Sequence, residues 1–311
     1  MSKATEQAPA PGALPKPGSA GAWWLAARPR TLPVAIAPVI IGVAVSNLTQ
    51  KSLDVASIVM ALLGALLLQI GANLANDVFD FEKGTDDAAR IGPPRAAQAG
   101  LLTPGALKRG MAFVFLLATL CGAYLAWQHG LIIIAIGVAS IASAIAYTGG
   151  PYPLGYNGLG DIFVFVFFGP VAVVGTAFVA TGQFLPLALA MSVPVGALAT
   201  AVLVVNNVRD GETDVRTGKR TLVVRFGKAF GLLEYRALLF VALATPLALV
   251  VNGSLPRLGL LGLATAPRAL RLGIAIGRET DGVALTRILA DTAALLVVHA
   301  GLTAAGIALE P

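Results

Sequence analysis

Residues 55–82 read VASIVMALLGALLLQIGANLANDVFDFE, an apolar run broken only by Ser57 and Gln69 that leads directly into Asn73, Asn76, Asp77 and Asp80. A hydrocarbon core about 30 Å thick needs roughly 20 helical residues. The run is therefore long enough to span a bilayer and to carry its carboxylates at one end. Similar apolar stretches place candidate spans at 31–48, 55–78, 105–127, 130–147, 161–181, 184–206, 235–252, 255–275 and 287–307. The eighth is interrupted by Pro267, Arg268 and Arg271, so an eight-span arrangement is the alternative to nine.

Composition agrees with this reading over the whole chain. Of 311 residues 57% are hydrophobic and 12% are charged, against about 25% charged in an ordinary soluble domain. Mean hydropathy is +0.81. A soluble globular protein and a disordered one are both excluded. Residues 1–22 are rich in Ala, Pro and Gly with no apolar segment of a secretory signal, and are expected to be a disordered tail before one polytopic domain at 23–311. The lone Cys121 lies in an apolar run, which rules out a disulfide framework. The 35 glycines fit close helix packing.

The charge of +6 suggests membrane topology rather than a nucleic-acid partner. With a cytoplasmic N-terminus and nine spans, all but Lys51 and Arg257 of the 22 Lys and Arg fall on cytoplasmic segments. The acids are concentrated instead. Asp77, Asp80, Glu82, Asp86, Asp87, Asp210, Glu212, Asp214 and Glu234, more than half of the 16, lie in two regions that each follow a span ending in Asn and Asp.

If each helix continues through its cluster, Asn76 and Asp80 share a face at i and i+4, as do Asp210 and Asp214. Crowded carboxylates at the end of a buried helix need a cation. With no His or Cys cluster beside them, hard oxygen donors point to Mg²⁺ rather than Zn²⁺. Arg95 follows the first cluster, and Lys219 and Arg220 follow the second. Carboxylates and cations together suit a metal-bound diphosphate. A solvated positive-inside loop is the plainer reading of one such cluster, but two matched clusters on one face favour a site. His299 and Asp291 stand eight residues apart in the last span and read as packing or interfacial groups, and His129 as a solvated turn residue.

The motifs Asn76-Asp77-Val-Phe-Asp80 and Asp210-Gly-Glu-Thr-Asp214 resemble those of the membrane-embedded UbiA-type prenyltransferase superfamily. Arg28-Pro-Arg30-Thr-Leu-Pro33, Arg90-Ile-Gly-Pro, the stretch Tyr147-Thr-Gly-Gly-Pro-Tyr-Pro-Leu-Gly-Tyr-Asn-Gly-Leu-Gly160 and Gly218-Lys-Arg-Thr-Leu222 are similar to its naphthoate-prenylating branch. One departure is Gly84, where the superfamily's first motif usually has its last Asp; the displaced Asp86 takes that role here.

The resemblance implies an all-α integral membrane protein bundled around a central chamber, with a multi-pass plasma-membrane location and an active site toward the cytoplasm. A polyprenyl diphosphate would bind through Mg²⁺, two ions bridging the diphosphate, and ionise. The ring of 1,4-dihydroxy-2-naphthoate would attack the allylic cation and lose CO₂, giving demethylmenaquinone. Asn76, Asp77, Asp80, Asp86, Asp210 and Asp214 become the metal ligands, with Asp80 and Asp210 central to catalysis. Lys219, Arg220, Arg95 and Arg30 face diphosphate, the last two being interfacial anchors in the plainer reading. Tyr147 faces the cation or belongs to the aromatic belt. Asn157 and Asp161 are polar contacts of the acceptor. Another aromatic acceptor, such as 4-hydroxybenzoate or homogentisate, and a secondary transporter are the competing readings.

Overall fold

A computed structural model describes residues 14–49, 52–85 and 92–310, and among them the regular structure is entirely helical. The helices are α1 Ala20–Ala27, α2 Leu32–Asn47, α3 Val55–Glu82, α4 Pro104–His129, α5 Ile132–Ala146 and α6 Gly160–Val166. They continue with α7 Ala172–Thr181, α8 Pro186–Arg216, α9 Leu222–Phe226, α10 Lys228–Val251, α11 Ala266–Arg278 and α12 Gly282–Leu309. The chain is a multi-pass membrane protein.

Eight helical runs among the described residues are long and apolar enough to cross a bilayer. Short links merge neighbouring helices within three of them. A 3₁₀ turn at Pro29–Thr31 joins α1 to α2, a π-helical turn at Phe167–Val171 joins α6 to α7, and the 3₁₀ segment Arg257–Thr265 leads into α11. The interruption expected around Pro267 is this last junction, where proline fits the first turn of a new helix. The fourth expected span is α5, whose 15 residues reach about 22 Å at 1.5 Å per residue. Eight runs are thus full-length, while α5, though short, runs between the same two ends of the bundle: His129 just before it meets Ser57 at the start of α3, and Thr148 just after it meets Asn76 near the end of α3.

The N-terminal boundary also moves. Ser19 caps α1 through the Ala22 N–H, and the Gly18 N–H bonds to the Leu101 carbonyl at 2.8 Å, so the helical part begins at residue 20 rather than 23. Residues 1–13 of the expected tail lie outside the described residues.

The core forms around α8, which packs against α2, α6, α7, α10 and α12 and is the most buried of the eight crossing runs. Its largest cluster joins Ile41 of α2, Val173 of α7, Met191 and Val205 of α8, Tyr235 of α10 and Leu296 of α12. A second cluster joins Ala22 and Ala26 of α1, Leu74 and Val78 of α3, residues 96–102 and Leu107 of α4. These two clusters place the acidic-motif ends of α3 and α8.

The last two crossing runs form no relay. Asp291 pairs with Arg268 at 2.9 Å near the surface, whereas His299 is buried with Nδ1 3.1 Å from the Gly262 carbonyl and 3.1 Å from Thr265 Oγ1. His129 is less solvated than expected, with Nε2 2.8 Å from Ser57 Oγ.

Glycine permits the closest approach between elements. A Cβ on Gly306 would sit 1.8 Å from the Leu258 carbonyl oxygen, while one on Gly301 would have nothing within 4 Å. Gly306→Ala should cost about 1–3 kcal/mol by overpacking, and Gly301→Ala should be close to neutral. Thermal unfolding in detergent checks the contrast, and equal melting temperatures for the two variants would contradict this packing.

Candidate active site at two acidic helix ends

Both motif-bearing helices run past the ends expected for their spans, α3 to Glu82 and α8 to Arg216. Each stops at a glycine four residues beyond an aspartate. Gly84 has φ +70° and Gly218 has φ +76°, the left-handed geometry that closes a helix without a Cβ clash. The chain then folds back identically: the Thr85 N–H bonds to the Asp80 carbonyl at 3.0 Å, and the Lys219 N–H to the Asp214 carbonyl at 2.9 Å. Asp80 and Asp214 thus occupy equivalent positions in two matched helix ends. Gly84 stands where a third acid was expected because the helix ends there.

Asp80 is 2% exposed and gathers four side-chain partners. Tyr156 Oη donates to Oδ1 at 2.7 Å and Thr85 Oγ1 at 3.3 Å, while Lys219 Nζ lies 3.4 Å from Oδ1 and Arg95 Nη2 3.4 Å from Oδ2. Lys219 Nζ is also 4.0 Å from Asp214 Oδ1, so one ammonium stands between the two helix ends. Lys83 and Lys219 lie 4.7 and 4.6 Å from the centroid of the Tyr156 ring, within cation–π range. Lys83 donates to the Thr148 carbonyl, and Thr148 Oγ1 donates to Asn76 Oδ1 at 3.0 Å. Burial, with a lesser push from Lys219, lowers the Lys83 pKa against the opposing pull of Asp80.

The segment 147–160 ties the helix ends together. The Arg220 N–H bonds to the Tyr156 carbonyl at 2.7 Å, and Arg225 Nη2 to the Asn157 carbonyl at 2.8 Å. Tyr147 packs into the space left by two glycines. A Cβ on Gly155 would lie 2.9 Å from its ring, and one on Gly160 2.9 Å from its hydroxyl.

Asp210, one turn before Asp214, is held differently. Arg209 Nε and Nη2 each approach its carboxylate oxygens at 2.7 Å, and Nη2 also donates to Asn206 at 2.7 Å. This bidentate fork orients Asp210, yet leaves lone pairs on both oxygens.

The structure brings together Asn76, Asp80, Asp214, Lys219 and Arg95 of the sequence-predicted residues. Tyr147 and Asp161 adjoin them, and Asp210 is one turn away. Asp77 departs from the expected ligand role: its two oxygens accept the Ala96 and Ala97 N–H groups at 2.9 and 3.1 Å, so it anchors the loop next to Arg95. The Asn157 amide donates to the Pro153 carbonyl at 2.8 Å and holds its own turn. Arg220 reaches the site through its main chain, with an exposed side chain, and Arg30 is exposed on the Pro29–Thr31 turn. Asp161, 5% exposed at the head of α6, has Oδ1 without a hydrogen-bond partner. Asp86 lies outside the described residues.

Tyr156, Lys83, Thr85, Thr148 and Arg209 were not anticipated. The available signal was the spacing Asp-x-x-x-Gly, present as Asp80 to Gly84 and again as Asp214 to Gly218.

Among the described residues no three His, Cys, Asp or Glu side chains form a ready-made cage. Mg²⁺ does not require one, since it is commonly held through one or two carboxylates plus substrate phosphates. The hard oxygens of Asp80, Asp214, Asn76 and Asp210 fit a metal that arrives with a diphosphate.

A model of the UbiA prenyltransferase family matches residues 35–298. The chain is 40% identical to a 1,4-dihydroxy-2-naphthoate octaprenyltransferase of Mycobacterium tuberculosis over 89% of its own length and 94% of the relative's. It is also 40% identical to the Escherichia coli protein of the same name, over 87% and 90%. Among solved structures, a UbiA homolog from Aeropyrum pernix superposes with a TM-score of 0.67 at 15% identity, covering 90% of this chain and 96% of that one. A UbiA homolog from Archaeoglobus fulgidus bound to GPP and Mg²⁺ gives 0.64 at 14% identity, covering 91% and 99%. The fold is therefore shared with these structures, and the chain belongs to the UbiA prenyltransferase family.

Proposed function

We propose that this chain transfers a polyprenyl group from polyprenyl diphosphate to 1,4-dihydroxy-2-naphthoate with loss of CO₂, giving diphosphate and demethylmenaquinone in its quinol form. The observation that carries this reading is the Asp80–Lys219–Asp214 contact, which makes one site of two acidic helix ends. The acceptor rests on the relatives that bear the naphthoate name. The Lys and Arg bias assigns a cytoplasmic N-terminus and a site facing the cytoplasm from the plasma membrane.

In the reaction the allylic carbon–oxygen bond breaks and its electron pair leaves with diphosphate. The ring carbon bearing the carboxylate supplies the pair for the new carbon–carbon bond. Cleavage of the bond to CO₂ returns a pair to the ring and restores its aromaticity. Asp80 and Asp214, with Asn76 and Asp210 beside them, would hold the metal, and the sequence offers Asp86 as a further ligand. Mg²⁺, in our reading two ions, supplies when bound the positive charge that offsets the departing diphosphate.

Lys219, Arg95 and Lys83 stand at the same end and offer charge to the diphosphate oxygens. Arg220 and Arg30 are exposed and draw the anion to the mouth. Tyr147 presents its ring to the allylic cation, and the apolar helices keep water from it. Asp161 offers its unpartnered oxygen to an acceptor hydroxyl. Asp77 and Asn157 hold the loops that shape this pocket rather than touching substrate.

Purified protein given Mg²⁺, a polyprenyl diphosphate and dihydroxynaphthoate should release CO₂ and yield the prenylated quinol, identified by mass analysis. Prenylation of 4-hydroxybenzoate with dihydroxynaphthoate untouched would overturn the acceptor assignment. Asp80→Asn and Asp214→Asn should each lower kcat/KM by about 100-fold or more, with little change in thermal unfolding. Mg²⁺-dependent turnover retained in both variants would remove the site. Tyr156→Phe keeps the ring between the two lysines but loses the bond to Asp80, and should slow transfer by about tenfold, the worth of one hydrogen bond to a charged group. Tyr156→Leu should be slower still, and equal rates for Phe and Leu would show that the ring plays no part.

A further inference from the structure

Two cations of the site, Arg209 and Lys219, are held in opposite ways. Arg209 is locked: its guanidinium grips Asp210 at 2.7 Å on both oxygens, bonds Asn206 as well, and its side chain is 2% exposed. Lys219 is not. Its Nζ lies 3.4 Å from Asp80 and 4.0 Å from Asp214, with a side chain 20% exposed. Both distances exceed the roughly 2.7–2.9 Å of a charge-assisted hydrogen bond. Its remaining close contact is the Tyr156 ring at 4.6 Å, which imposes little direction. The main chain of Lys219 is pinned to the end of α8 through its N–H bond to Asp214, so only the flexible four-carbon stem needs to move.

The gap between Asp80 and Asp214 is also where a divalent cation finds two carboxylates from different helices. Two cations held against the same carboxylates repel each other. The ammonium and the metal therefore compete for the same oxygens.

Building on the metal–diphosphate reading above, we infer that Lys219 is an exchangeable counter-ion. It neutralises Asp80 and Asp214, yields them to a divalent cation, and transfers its own charge to the diphosphate that arrives with that cation. Metal alone displaces Lys219 with no new partner for it. Metal with diphosphate gives the ammonium an anion to hold. Metal and diphosphate consequently bind as a coupled pair, each raising the affinity for the other.

The test uses Mn²⁺ as a paramagnetic probe, its binding to the full-length protein in detergent followed by electron paramagnetic resonance with and without inorganic pyrophosphate. In the unmodified protein pyrophosphate should tighten Mn²⁺ by about tenfold, a typical coupling between sites. Lys219→Gln removes the competitor, so Mn²⁺ alone should bind several-fold tighter than in the unmodified protein, and the coupling should shrink to what direct contact between metal and diphosphate supplies. Lys219→Arg keeps the charge and should leave Mn²⁺ alone as weak as before.

Mn²⁺ affinity without pyrophosphate that is unchanged or weaker in Lys219→Gln overturns the inference. So does tightening in Lys219→Arg equal to that in Lys219→Gln, which would trace the effect to shape rather than charge. Asp80→Asn separates the two readings: Mn²⁺ binding that survives it unchanged contradicts the metal site itself, whichever way the Lys219 variants behave.

Discussion

Asp80 and Asp214 are two negative charges at the C-terminal ends of two long helices, where the helix macrodipole adds further negative potential. Bringing such ends together in an apolar bundle is unfavourable unless cations stand between them. The Asp80–Lys219–Asp214 contact meets that requirement, and Arg95 and the Tyr156 hydroxyl share the remaining charge of Asp80. In the proposed function the negative ends of α3 and α8 are where a divalent cation would bind.

The glycines at 84 and 218 make this convergence possible. Each ends its helix one turn past the aspartate and sends the next residue back toward it, Thr85 onto Asp80 in the first case and Lys219 onto both aspartates in the second. The loop that carries Tyr156 then closes the arrangement, bonded to Asp80 through its hydroxyl and to Arg220 through its carbonyl. Loss of the loop would leave two separate acidic ends, because the remaining direct link is the long and weakly directed Lys219 contact.

Much of this was legible in the sequence. Apolar run lengths located the membrane helices, and the concentration of acids against a sparse charge background pointed to the two helix ends that the fold brings together. Spacing could not separate a metal ligand from a loop anchor: Asp77 and Asp80 are three residues apart and chemically alike, yet one faces backbone N–H groups and the other faces cations. Tyr156 was hidden for a related reason. A glycine-rich uncharged stretch reads as a flexible connection, and only its fold shows that the glycines seat Tyr147 while Tyr156 bridges the motifs. Gly84 looked like a missing acid because the related motif carries an aspartate there, whereas its left-handed backbone ends α3.

The central claim is that the two acidic helix ends act as one metal–diphosphate site. A structure of the protein with Mg²⁺ and a non-ionising prenyl thiodiphosphate tests it most directly. The account predicts metal density shared by Asp80 and Asp214 and bridged by the diphosphate, with Lys219 turned from the carboxylates to the diphosphate oxygens. Metal and diphosphate confined to one helix end, with Lys219 still between Asp80 and Asp214, would contradict it.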